Sequence, residues 1–179
     1  MATSEQTKRV KLGPCIVTFD GTDLGLTKGG VEVSITTNKH EVMVDQFGST
    51  AINDIITGRT GMVTVPMAET DLSKLLKVIP GAVLVTDGTV TTKKKLEIPT
   101  AVGTSLIESA KELSLHPKAN ASTNKADDVT VPLASPAGDI TFSFQVENER
   151  VYAIEFRMYP DEVTGLLAIL GDPTAEAEA

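Results

Sequence analysis

Ile140-Thr-Phe-Ser-Phe-Gln-Val146, a connection at Asn148-Glu149, then Tyr152-Ala-Ile-Glu-Phe-Arg-Met158: this stretch decides the fold. Apolar and polar residues alternate strictly through both halves, which is the period of a strand with one buried and one wet face. Two such runs joined by a short polar link predict a long antiparallel hairpin. It carries Phe142, Phe144, Tyr152 and Phe156, four of the seven aromatic residues in the chain, so the centre of the core is expected here. Pro160 ends the second arm, and the pattern predicts a short helix over residues 162–170 before an Ala/Glu tail.

Upstream, the same alternation recurs. Pro14 to Asp20 reads as a strand with Ile16, Val17 and Phe19, and Asp20-Gly21 makes a turn into a short strand begun by Leu24 and Leu26. Val31, Val33 and Ile35 alternate with Glu32, Ser34 and Thr36; His40 to Asp45 extends again, with Val42 and Val44 on one side. Val63, Val65 and Met67 share one face of a strand in which Pro66 marks an edge or an end. Ser49 to Thr57 is ambiguous. Ile52, Ile55 and Ile56 suit a helix capped at Ser49 or Thr50, and equally a strand bounded by Gly48 and Gly58.

Two short helices are expected. One follows Glu69-Thr70-Asp71, with Leu72, Leu75, Leu76 and Ile79 on one face and Pro80-Gly81 as the stop. The other opens at Thr104 or Ser105, with Ser105 and Glu108 spaced as a capping box ahead of Leu106, Ile107 and Ala110. Between them, Ala82 to Asp87 and Val90 to Ile98 read as strands joined by an Asp87-Gly88 turn. Lys93, Lys94 and Lys95 form a solvated strand end. Leu113 and Leu115 lead into His116-Pro117. Lys118 to Asp128 is a polar loop, and strand signals resume at Val129. The expected organisation is a flexible arm over 1–12, one domain over 13–171 and a flexible tail over 172–179. The expected class is mainly β: an antiparallel sandwich or barrel with one or two short flanking helices.

Composition narrows the function. The 179 residues carry a net charge of −8 and a pI near 4.8, which repels phosphate backbones. Aromatics make up only 4%, with no tryptophan, so stacking platforms for single strands are scarce. No apolar run is long enough for a bilayer span; Gly165 to Gly171 is the longest candidate. The polar N-terminus, without the apolar stretch of a secretory signal, fits synthesis in a cytoplasm. Lys8, Arg9 and Lys11 make that arm locally basic.

Chemistry has little foothold. The lone Cys15 reads as a small hydrophobe of the first strand, with no neighbouring base in sequence. His40 sits on a polar stretch between Lys39 and Glu41. His116, ahead of a proline, reads as structural. Gly25-Leu-Thr-Lys-Gly-Gly lacks the spacing of a phosphate loop, and Asp20-Gly-Thr-Asp lacks the ligand ladder of a calcium loop. There is no Gly-x-Ser-x-Gly elbow. No catalytic residue, cofactor or metal ligand is assigned.

Gly30-Val-Glu-Val-Ser-Ile, Val42-Met-Val-Asp-Gln-Phe-Gly-Ser-Thr and Gly58-Arg-Thr-Gly-Met-Val-Thr-Val-Pro-Met-Ala-Glu-Thr-Asp-Leu follow one another with a Leu-rich helix behind them. Later come Ala110-Lys-Glu-Leu-Ser-Leu-His-Pro, Phe156-Arg-Met-Tyr-Pro-Asp and a Gly-Leu-Leu-Ala-Ile-Leu-Gly-Asp close. In order and spacing these segments resemble the tail tube proteins of long-tailed bacteriophages. The resemblance implies a non-enzymatic virion protein, assembled in the host cytoplasm into hexameric rings that stack into a tube. DNA would pass through without specific binding. Tape-measure, tail terminator and baseplate or tail-tip proteins would be partners, and no membrane is involved. It further implies that Ser49 to Thr57 is strand, within a long hairpin from about Ile35 to Val65. In that hairpin Val42, Val44, Asp45, Gln46, Gly48, Ile52, Ile55 and Gly58 are the expected self-assembly residues, with the glycines and Asp45-Gln46-Phe47 at bends or bulges. The rival readings are a related secretion-system tube or baseplate protein, and a monomeric β-sandwich binding module.

Overall fold

The computed structural model of the chain describes residues 11–69, 71–100 and 102–176; residues 1–10 of the arm expected over 1–12 and the last residues of the tail, 177–179, lie outside them. The chain is mainly β, as its alternating pattern predicts. Its strands are β1 (Cys15–Phe19), β2 (Thr22–Asp23), β3 (Glu32–Met43), β4 (Ala51–Met67), β5 (Val83–Thr86), β6 (Lys94–Glu97), β7 (Lys111–Pro117), β8 (Val129–Thr141), β9 (Tyr152–Tyr159) and β10 (Ile169–Leu170). The main sheet is antiparallel in the order β2-β1-β7-β8-β9-β4-β3, with β10 added to β8; β5 and β6 pair separately.

β8 turns this sheet into a sandwich. Its first half pairs with β7 and its second with β9, and it carries surplus residues in both ladders, between Lys111 and Leu113 of β7 and between its own Pro136 and Ile140. Surplus residues bend a strand, so the two halves of the sheet face each other. Phe19 of β1 meets Phe156 of β9 with ring centroids 5.0 Å apart. Around that contact Val17, Val63, Val65, Met67, Leu113, Val131, Ile154 and Met158 form one buried cluster. Every second residue of β9 and of the Gly61–Met67 end of β4 points into it, which is the alternation seen in sequence. Each fully buried aliphatic or Phe side chain contributes about 1.5–3 kcal/mol of transfer free energy.

Helix α1 (Leu72–Val78) forms where expected. The Asp71 carboxylate accepts from the Ser73 amide at 2.8 Å, and Leu75 and Val78 enter the core. Several other expectations are corrected. The second helix is a 3-10 turn, Leu106–Ser109, whose Ser105 makes no side-chain cap hydrogen bond. The stretch is too short to repay helix nucleation before Lys111 joins the β7 ladder. No final helix spans 162–170: the Asp161 carboxylate accepts from Thr164 N and Oγ1, closing a turn, and Ile169 and Leu170 pair with β8. The second strand is Thr22–Asp23; Leu24 drops into the core and Leu26 stays exposed. Val90 to Ile98 is strand only over β6. The Asp87 carboxylate accepts from the Thr89 and Val90 amides and widens the connection.

The decisive hairpin is half right. Tyr152, Ile154, Phe156 and Met158 are buried as expected. The first arm stops at Thr141, opposite Ala153. Residues 142–151 instead form a flap held by ring contacts: Phe142 lies against Tyr152 at 4.8 Å, and the Arg150 guanidinium lies 3.8 Å above the Phe144 ring. Phe144 and Val146, expected in the core, face solvent.

Cys15 is half-buried on β1, where desolvation pushes its thiol above the ordinary range. His116 Nδ1 lies 2.7 Å from a buried Asp128 carboxylate, a structural pairing that ties β7 to the end of the polar loop. At the start of the described chain, Lys11 pairs with Asp127. No helix among the described residues is long and apolar enough to cross a membrane.

Candidate assembly surface

The β3–β4 hairpin is longer than the sheet it belongs to. β9 pairs with β4 only from Gly61 to Met67. Beyond Gly61, Ala51–Thr60 has β3 on one side and no partner on the other among the described residues, and the outer edge of β3 is unpaired along its length. At a strand rise of about 3.3 Å per residue, the unsupported arm is about 30 Å long. Ser49 to Thr57 is therefore mostly strand. Each lone residue pair in this arm has only its cross-strand neighbour for company: His40 faces Ile55, Glu41 faces Asp54 and Val42 faces Asn53.

The tip closes through a 3-10 turn, Asp45–Phe47, with Phe47 N donating to Val44 O at 3.0 Å. Gly48 follows at φ 61, ψ −130, a backbone conformation open essentially only to glycine. The structure so places Asp45, Gln46 and Gly48 together at the tip. Val44 precedes the turn rather than lying in β3, and Gly58 sits beside a bulge without a positive φ. Two register shifts interrupt the arm, between Asn38 and Lys39 and between Val42 and Met43. In each, β4 supplies the extra residue, Thr57 and then Ile52.

The expected apolar face divides in two. Val63 belongs to the core, whereas Ile52, Ile55 and Ile56 are 52%, 51% and 53% exposed and Phe47 at the tip is 65% exposed. Val42 and Val44 are partly covered. A monomer has nothing to set against these side chains. Lys39, Glu41, Asp45, Asp54 and Arg59 intersperse charge along the arm, and among the described residues none of them forms an ion pair. Charge on an open edge discourages indiscriminate strand pairing.

Two further features escaped sequence reasoning. At the base of the arm lies an open groove of about 600 Å³, lined by Ile35, Arg59, Pro160, Leu166, Leu167 and Leu170 among others. Its signal was the apolar run Leu166 to Leu170 between two glycines, which lacks the polar face of an amphipathic helix. The second feature is the flap at 142–151. It is anchored by the Lys28–Glu149 ion pair and by an Asn148–Gln145 side-chain bond, with Phe144 73% exposed and Val146 fully so. The Lys28 ammonium holds the Glu149 carboxyl below its ordinary range.

Among the described residues no group of three or more His, Cys, Asp or Glu side chains is arranged to hold a metal ion. What the geometry offers is strand edge and apolar surface. No protein-family model matches the chain, and no curated protein matches it either.

Proposed function

We propose that the chain is a structural protein that works by self-assembly, the subunit of a phage tail tube in which hexameric rings stack into a conduit for DNA. The observation that carries this reading is the β3–β4 arm, with two unpaired edges and half-exposed isoleucines on one ribbon. With copies side by side, the free edge of β3 in one faces the free Ala51–Thr60 edge of β4 in the next. Pairing satisfies the backbone groups of both and buries Ile52, Ile55 and Ile56. Two different edges meet in such a contact, so it repeats around a ring that closes when the rotation per copy divides a full turn. The number six, the virion location and the tape-measure, terminator and tail-tip partners come from the sequence resemblance. A net charge of −8 suits a DNA conduit that must not hold its cargo.

The test is assembly itself. Concentrated protein is expected to show rings or tubes by negative-stain electron microscopy and a mass well above 18.9 kDa by light scattering. A deletion across Asp45 to Ile52 is expected to leave a folded monomer by circular dichroism. A wild-type chain that stays monomeric at high concentration would instead favour a binding module, and this reading would fall.

A further inference from the structure

The flap and the groove sit at opposite ends of the same strand. The flap runs directly into Tyr152, the first residue of β9, and the groove begins at Pro160, directly after Tyr159, the last. β9 separates them by about 26 Å. A chain therefore cannot seat its own flap in its own groove.

Their chemistry is nevertheless matched. The groove is an apolar trough whose exposed Leu166 and Leu170 have no cover, with one cation, Arg59, at its rim. The Arg59 side chain makes no hydrogen bond or ion pair among the described residues. The flap presents Phe144 and Val146 to solvent, and Glu147 follows them, exposed and likewise without a partner. Two apolar side chains and a trailing carboxylate meet an apolar trough rimmed by a guanidinium. A trough of about 600 Å³ is of the size that accepts a short peptide segment.

We propose that the Phe144–Val146 flap of one copy docks into the Ile35–Leu166 groove of a second copy, with Glu147 of the flap paired to Arg59. This contact rests on the tube reading and specifies what joins one ring to the next. Because the two surfaces differ and lie at opposite ends of the fold, the contact is heterologous and runs head to tail. Within the tube reading it adds copies along the axis, as a heterologous contact does when the rotation between copies does not close. The β3–β4 arm joins neighbours within a ring, and the flap and groove join rings.

Two single variants test the docking: Val146→Asp spoils the flap and Leu166→Asp spoils the groove. Both side chains are exposed, so the fold is expected to tolerate either. Each variant alone is expected to give single rings where wild type gives stacks. Mixing the two kinds of preformed ring leaves one good flap opposite one good groove. The mixture is expected to join into pairs of rings, a twofold rise in mass by light scattering that goes no further. In the same assay Glu147→Arg is expected to weaken stacking about tenfold, and Arg59→Glu added to it to restore stacking. Stacks formed by either single variant, or a mixture that stays as single rings, would overturn the docking while leaving the ring reading intact. Wild-type protein that forms no rings would remove the tube reading and the docking with it.

Discussion

Gly61 of β4 stands opposite Met158 of β9, and the methionine side chain fills the space that a Cβ at position 61 would need. This is the point where the arm leaves the sheet, so the glycine lets the last paired residue of β4 close on the core. Gly61→Val is expected to destabilise the fold by about 1–3 kcal/mol through overpacking. Part of that loss should return in a Gly61→Val, Met158→Ala double variant. A double-mutant cycle by urea denaturation reads the coupling. Additive losses would show that the two positions do not share this space.

Phe156 and Val146 were equivalent in the sequence pattern and differ sharply in place. Phe156→Ala is expected to cost about 3–5 kcal/mol. Val146→Ala, on a fully exposed side chain, is expected to change stability by less than about 0.5 kcal/mol. Equal losses in denaturant melts would mean that the flap packs into the core.

Substituting threonine for Ile52, Ile55 and Ile56 keeps strand propensity while removing apolar surface. The monomer is expected to melt within a few degrees of wild type and to lose assembly at every concentration where wild type forms rings. Retained assembly, seen by light scattering, would free these three residues from any role in the contact.

Asp128 links three pieces of chain: its carboxylate meets His116, its amide donates to Lys125 O and its carbonyl accepts from the Gly171 amide. Asp128→Ala leaves the part-buried His116 Nδ1 without its partner. The expected cost is about 1–3 kcal/mol. A melting temperature equal to wild type would show that the pair adds nothing.

The Asp161 carboxylate accepts from the Thr164 hydroxyl and amide, with a further contact from the Val163 amide, and these donors hold it below its ordinary value of 3.8. A carboxylate whose pKa is lower folded than unfolded supports its turn above that ordinary value and loses the support as pH falls through the folded one. The Thr164 amide resonance is expected to titrate with a midpoint below 3.8 in wild type and not at all in Asp161→Asn. A midpoint at or above 3.8 would contradict the turn.

What sequence could reveal followed from burial. Val63, Val65, Met67, Ile154, Phe156 and Met158 alternate because one face of each strand is core, so their strands and sides were legible. The same alternation in Phe142, Phe144 and Val146 pointed the wrong way, since a period of two records which residues share a side and is silent on what covers that side. The helix read at 162–170 failed for a related reason: Leu166 to Leu170 is apolar without a helical period, and the Asp161 turn decides its path. In the arm, Gly48 announced its own turn and Gly58 marked the neighbourhood of the Thr57 bulge, while the bulge at Ile52 was invisible because register is a property of two strands at once. The groove joins Ile35 to Leu166, far apart in the chain, so only the folded structure brings its walls together.

The two bulges have a geometric result. Both extra residues lie on β4, so between the sheet and the tip one rail of the ribbon is longer than the other. A ladder with unequal rails cannot lie straight; it curves with the longer rail outward, and each bulge tightens the local twist as well. The curvature is written into residue count rather than into any contact, so every copy of the chain carries the same bend before it meets a neighbour. Removing Thr57 and Ile52 would level the rails.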